Sequence, residues 1–257
     1  MTNKQKIKII KECEQNNKEY MDLLKDKKVI IVGPSGNLIG KNLGEKIDNY
    51  DVVVRLNNSL AIDKKIEVDL GSRTDVLYHI SGKLFNILTF VSTKVKKKPG
   101  EILVDMGVKY IFFKQGWNSK GKRSRKHFWE FVNMINIKVS PIRAILLYLK
   151  KELNGTDPNM GVLAITHILK SKCKSLTVVG CDFYSGQYYP GYVILPEHYF
   201  DFKERRLKAK KGNWKQKQKH SVRLQLFYLD KILKSDNRLI LNKELKELIK
   251  KKDTEVR

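Results

Sequence analysis

The sequence predicts an α/β fold, a mostly parallel, Rossmann-like sheet flanked by helices, on three observations. Short apolar runs recur along the chain and alternate with segments of helical spacing, the mark of βα units. The runs are nearly continuous Val, Ile and Leu, as expected of parallel strands covered on both faces. The first run, Lys28–Val32, ends in the tight loop Gly33-Pro-Ser-Gly-Asn, and helical spacing resumes after it.

In order, residues 4–26 read as a polar, basic helix with a patchy apolar side at Ile7, Ile9, Ile10, Tyr20, Leu23 and Leu24. Strand Lys28–Val32 is followed by a helix over Leu38–Ile47, then by strands over Asp51–Arg55, Asp75–His79, Lys109–Phe113 and Ile137–Val139. A helix over Pro141–Leu153 has Pro near its start, where a missing N–H costs nothing. Gly161–Lys170 is helical and Ser175–Gly180 is a further buried strand. In the helix over His220–Lys234, Val222, Leu226, Leu229 and Leu233 fall on one face at i, i+4, i+7 and i+11. A Lys-rich helix over Asn242–Lys252 closes the chain. Three basic stretches, Lys94–Lys98, Lys120–Lys126 and Lys203–Lys219, read as surface loops. Residues 1–27 thus form a basic helix or arm, and residues 28–257 a single domain without internal repeat.

Composition narrows the function classes. Of 257 residues, 41% are hydrophobic and 31% charged, which excludes disorder along the whole chain. No apolar run approaches bilayer length. The N-terminal MTNKQKIKIIKECEQNN has neither an apolar core nor a small-residue cleavage site, so a cytoplasmic protein is expected. Cys13, Cys173 and Cys181 are too few for a disulfide framework. Neither they nor the five histidines are spaced as a metal site, so no metal is expected. Lys and Arg number 52 against 27 Asp and Glu, a net charge of +25. That charge suits acidic partners: nucleic acid, phosphorylated substrates or the periphery of an anionic membrane. Lysine on solvated faces would account for it equally well.

The chemistry concentrates at the carboxyl ends of the predicted strands, where ligands bind in parallel sheets. Gly36 and the backbone N–H of Ser35 belong to the first loop, where glycines let amides approach an anion. No Gly-Lys-Ser/Thr closes that loop, so it is not a P-loop, and it is not a clean GxGxxG. Asn57 follows the second strand and brings an amide, donor and acceptor both, to the same edge. Arg55, two residues earlier, shares its side of the strand.

Taken whole, Val32–Asn57 (VGPSGNLIGKNLGEKIDNYDVVVRLN) with Val68–Asp75 (VDLGSRTD) resembles the large sialyl motif of eukaryotic-type sialyltransferases, glycosyltransferase family 29. Pro158–Phe183 (PNMGVLAITHILKSKCKSLTVVGCDF) resembles the small sialyl motif, with Gly161, Cys173 and Gly180 in register. His198-Tyr-Phe-Asp201 is similar to the third motif. His220 with Gln225 is similar to the last, in which His precedes Glu. The chain departs from the pattern at Pro34, where the family often has Asn, at Asn159 and Met160, and at Gln225. The family disulfide joins the large and small motifs. Val29 stands opposite Cys173 in that pairing, so the bridge is absent, in keeping with a reducing compartment.

The resemblance implies a variant GT-A-like glycosyltransferase fold. It implies inverting, metal-independent transfer of sialic acid from CMP-sialic acid to a hydroxyl of a glycan or glycolipid acceptor, with no further cofactor. His220 is then the general base. At a helix N-terminus, and preceded by a dense Lys/Arg run, its imidazole stays neutral before reaction. His198 is the partner of the departing phosphate. Asn57, Ser35 and Gly36 serve the donor, and Asn159, Gly161 and Gly180 line its cytidine side. His79, His127 and His167 receive no role, His167 reading as packed against the sheet. Three alternatives stay open: a donor such as CMP-Kdo, a catalytically silent relative that still binds CMP, and a basic nucleic-acid-binding protein, for which no recognised module is present.

Overall fold

The structure, a computed structural model, describes residues 2–59, 64–80, 96–117, 122–132, 135–186, 188–189 and 221–251. His198, His220 and the basic stretch Lys203–Lys219 lie outside the described residues, as do parts of Lys94–Lys98 and Lys120–Lys126.

Helix α1 (Asn3–Leu23) opens with a reciprocal cap: Thr2 Oγ1 accepts from Gln5 N, and Gln5 Oε1 accepts from Thr2 N. There follow β1 (Lys28–Val32), a 3₁₀ turn (Gly36–Leu38), α2 (Gly44–Asp48), β2 (Val52–Leu56), a second 3₁₀ turn (Lys64–Ile66), α3 (Glu67–Leu70) and β3 (Val76–His79). Next come α4 (Pro99–Asp105), β4 (Tyr110–Phe113), α5 (Lys122–Val132), β5 (Lys138–Pro141), α6 (Arg143–Glu152) and α7 (Met160–Leu169). The chain continues through β6 (Ser175–Val179), α8 (Val222–Ser235), β7 (Leu239–Leu241) and α9 (Lys243–Lys250).

Among the described residues, seven strands pair in parallel, in the order β5-β4-β3-β2-β1-β6-β7. Alternate side chains feed opposite layers. Val29, Ile31, Val54, Tyr78, Phe112 and Val178 face one core, which includes buried residues of α6, α7, α8 and α9. Ile30, Val32 and Val53 face a second with Leu38 and Leu70, and Leu77, Ile111 and Phe113 face a third with Phe128 and Phe131 of α5. Helix α1 lies along the edge strand β5. Its Tyr20 joins the first core and its Cys13 the third, and Asn16 Nδ2 donates to Val139 O. That contact covers a strand edge that would otherwise offer free carbonyls.

Three sequence expectations are corrected. The helix over Leu38–Ile47 is broken, because Gly40 (φ 76°) and Asn42 (φ 51°) take left-handed conformations between the 3₁₀ turn and α2. The stretch Lys120–Lys126, read as a loop, contributes Lys122–Lys126 to α5, anchored by buried Phe128 against Phe113 and Trp117. The seventh strand was not foreseen: β7 has three residues, paired Thr177 to Ile240.

Candidate functional site

The strand order reverses between β1 and β6, so the crevice beyond their carboxyl ends is where an open parallel sheet receives a ligand. The loops after these strands are zipped together. Gly33 N donates to Val179 O at 2.8 Å and Ser35 N to Gly180 O at 2.9 Å. Such closeness excludes side chains. A Cβ on Gly33 would stand 2.3 Å from Gly180 O, and one on Gly180, whose φ is +67°, would stand 2.5 Å from Leu38 Cδ1.

On this frame Ser35 is buried, and its Oγ donates to Asp182 Oδ2 at 3.0 Å. Asp182 also accepts from the amides of Tyr184 (3.1 Å) and Gly186 (3.0 Å), which folds the 182–186 loop around its carboxylate. Ser35 bridges Tyr188, and Tyr189 N donates to Pro34 O at 3.1 Å, so Pro34 contributes a carbonyl where it has no N–H. A cavity of about 610 Å³ opens here, lined by Ser35, Gly36, Asn37, Asp182, Tyr188 and, from α9, Glu244 and Glu247 among others. The Oδ1 of Asn37 is buried without a hydrogen-bond partner.

Asn57, Asn159 and Gly161 are not among the residues lining that cavity. Asn57 takes a left-handed backbone (φ 52°) that ends β2. Its N–H donates to Tyr78 O at 2.7 Å, and its Oδ1 is buried without a hydrogen-bond partner. Asn159 caps α7, its Oδ1 accepting from Val162 N at 2.8 Å. Gly161 joins the two sides: a Cβ there would meet Asn159 Oδ1 at 3.4 Å, Cys181 Sγ at 3.6 Å and Leu56 Cδ1 at 3.8 Å. The turn before α7 is held from below by buried Lys114, at the end of β4, whose Nζ donates to Pro158 O at 2.7 Å. Burial, aided by the Asp182 carboxylate, pushes the Cys181 thiol up to about 12. Cys13, Cys173 and Cys181 are all free.

Arg55 is wholly buried, and its hydrogen bonds go to the 70–74 turn. Its Nε donates to Arg73 O and Thr74 Oγ1, and its Nη2 to Leu70 O and Gly71 O, while Nη1 is buried without a hydrogen-bond partner. Asp48 accepts from the amides of Ser72 and Arg73, and Asp69 from that of Asn42. Much of the large motif therefore braces turns rather than facing a ligand. Sequence reasoning assigned no role to Asp182, Lys114 or Tyr188. Only the acid directly after Gly180-Cys181 was visible as a signal, since the partners of the other two come from distant segments. Among the described residues no group of three or more His, Cys, Asp or Glu is placed to hold a metal ion.

A sheet of this order, with glycine loops interlocked at the reversal and a cavity opening beside them, defines a doubly wound α/β protein whose ligand edge is the β1/β6 switch point. Residues 2–236 match the family model for glycosyltransferase family 29 (sialyltransferase), and the chain belongs to that family. It is 28% identical over 245 residues to the human CMP-N-acetylneuraminate-beta-1,4-galactoside alpha-2,3-sialyltransferase, covering 88% of this chain and 62% of the relative. The chain thus spans less than two thirds of that relative's length. A 56-residue stretch is 47% identical to the human Type 2 lactosamine alpha-2,3-sialyltransferase, covering 22% of this chain and 16% of that one. The fold is that of a mammalian sialyltransferase crystallised with Gal-beta-1-3GalNAc-ortho-nitrophenol, with a TM-score of 0.52 at 16% identity, over 87% of this chain and 71% of that one.

Proposed function

We propose that the protein transfers sialic acid from CMP-sialic acid to a glycan hydroxyl, with inversion and without a metal or further cofactor. The observation that carries this reading is the family match over residues 2–236, together with the interlocked loops after β1 and β6 at the switch point of the sheet. Asn57 brings an unsatisfied amide oxygen to that edge, able to accept from a nucleotide hydroxyl or amine. Ser35, Gly36, Asn159, Gly161 and Gly180 are assigned to the donor with it. His220 is assigned the acceptor's proton and His198 the leaving phosphate. Amide dipoles at a helix start disfavour a charged imidazole, which is the sequence argument for His220 as a neutral base.

The net charge of +25 supports an anionic donor and peripheral contact with an anionic membrane, and the lack of a recognised nucleic-acid module in the sequence argues against a specific nucleic-acid partner. Three free cysteines, and Val29 where the family's bridge to Cys173 would need a cysteine, support a reducing, cytoplasmic setting.

The test is CMP release from CMP-sialic acid with a β-galactoside acceptor, in EDTA, for wild type and His220→Ala, with CMP-Kdo as a second donor. Turnover that survives EDTA and falls at least 100-fold in His220→Ala is expected. Undiminished turnover in that variant removes His220 from the role, and faster release from CMP-Kdo reassigns the donor. One observation favours a second reading: Pro34 offers no N–H where the family often places Asn. CMP raising the melting temperature of a protein without turnover would establish a silent binder.

A further inference from the structure

Fully buried Gln225, on the second turn of α8, joins the caps of two helices. Its Oε1 accepts from the backbone N–H of Asn159, the N-cap of α7, at 2.7 Å. Its Nε2 donates to the carbonyl of Ser221, the N-cap of α8, at 3.2 Å. The orientation of the amide follows from its partners, because an N–H must meet the oxygen and a carbonyl must meet the nitrogen. Neither cap depends on it: Asn159 closes α7 through Val162 N, and Ser221 closes α8 through Leu224 N at 3.3 Å. The amide therefore does something other than capping. It ties the turn that carries the candidate donor residues Asn159 and Gly161 to Ser221, which follows His220 in sequence. Lys114 Nζ holds the same turn at Pro158 O, so that Gln225 ties α8 to a braced segment.

We propose that Gln225 is a positioning residue that sets the start of α8 against the donor turn, and that its neutrality is what fits it for this. The inference rests on the transferase reading above. An ionised glutamate is an acceptor only. At this position it would keep the bond from Asn159 N–H but set a second carboxylate oxygen against the Ser221 carbonyl. The departure from the family's Glu is then a working substitution: without a proton, the amide serves the Asn159 N–H and adds a second donor to the Ser221 carbonyl, which also accepts from Gln225 N at 3.2 Å.

The two bonds can be separated by substitution. Gln225→Glu keeps the Asn159 contact and loses the Ser221 contact. It is expected to lower kcat about 10-fold or more while leaving KM for CMP-sialic acid and the Kd of CMP within 2-fold. Gln225→Leu loses both and is expected to lower kcat similarly and weaken CMP about 10-fold. A residue that only stabilises the fold would lower Tm in both variants without this split. Equal kinetic constants in wild type and both variants, or equal changes in both, would overturn the proposal. Amide NMR on the wild-type protein decides the matter if the variants do not fold. Titration with CMP should move the Ser221 and Val222 signals along with that of Asn159, and Ser221 and Val222 signals that stay still would overturn it too. Absence of turnover in the wild type would instead strike the transferase reading, and the CMP titration would still test the coupling.

Discussion

Tyr78 and His167 share a 2.7 Å hydrogen bond, Tyr78 Oη to His167 Nδ1, in the closed interior between the sheet and α7. The other ring nitrogen, Nε2, lies 2.9 Å from Asn17 Oδ1 on α1. An amide oxygen only accepts, so Nε2 carries the proton and Nδ1 accepts from the tyrosine. The ring is neutral, and through it α1 is hydrogen-bonded to the middle of the molecule. The hydroxyl of Tyr20, 3.4 Å from that of Tyr78, extends the network back to α1.

This geometry predicts an acid-labile fold. Burial, with the Lys170 charge adding to it, lowers the pKa of His167 from 6.5 to about 3. Below pH 6.5 the unfolded chain takes a proton that the folded chain refuses. The contribution is complete above that pH and is lost as pH falls toward about 3, at up to about 1.4 kcal/mol per pH unit. Urea unfolding at pH 7.5, 6 and 5 should reveal the slope. His167→Gln, which cannot titrate, should be less stable at neutral pH and show a smaller slope. Equal slopes in the two proteins would remove His167 as the cause.

Strands buried on both faces announce themselves as apolar runs, which is why six of the seven were legible, displaced by one residue or so. At Asp51 the displacement has a physical reason: its carboxylate leaves the strand line to accept the Lys28 amide at 2.7 Å. Strand β7 escaped because three residues, one of them exposed Ile240, carry too little pattern. The loop beside the cavity was legible through Gly33-Pro-Ser-Gly, whereas Asn57 and Gly161, which the motifs also single out, do not line that cavity. The Ser35–Asp182, Lys114–Pro158 and Asn159–Gln225 contacts join residues 147, 44 and 66 positions apart, which local pattern does not encode.

Gly180→Ala tests the interlocked loops. The added methyl would meet Leu38 Cδ1 at 2.5 Å and Gly33 O at 2.8 Å, on a backbone already at φ +67°. Leu38 can yield, whereas the Gly33 carbonyl belongs to the loop itself. A loss on the order of 3 kcal/mol is expected, from strain and the shifted loop together. Chemical denaturation reads the loss, and isothermal calorimetry should find CMP binding weakened in whatever remains folded. Wild-type stability would mean that the β1 and β6 loops are free to separate.

Lys114→Met tests the support under the donor turn. Methionine fills the buried space but offers no donor to Pro158 O, and Asp157 loses its ion pair with Lys114 at 4.0 Å while keeping the one with Lys150 at 2.6 Å. The expected result is a CMP affinity reduced about 10-fold, equal to roughly 1.4 kcal/mol, in a protein that still folds cooperatively. Unchanged affinity would show that the turn before α7 keeps its place without the lysine.

Arg55→Lys separates shape from charge. The guanidinium meets four acceptors on the 70–74 turn with a planar fork, two from Nε and two from Nη2. An ammonium has three protons on one atom and cannot span Thr74 and Leu70 together. Burial already pulls the Arg55 pKa below its ordinary value, and a lysine is easier still to neutralise in such a place. A loss on the order of 3 kcal/mol is expected for Arg55→Lys, with Arg55→Met at least as damaging because all four acceptors lose their partner. Both variants should also weaken CMP, since the β2 register that places Asn57 is set two residues earlier. If Arg55→Lys unfolded within about 0.5 kcal/mol of wild type, charge alone would suffice, and the fork would lose its claim to order the turn.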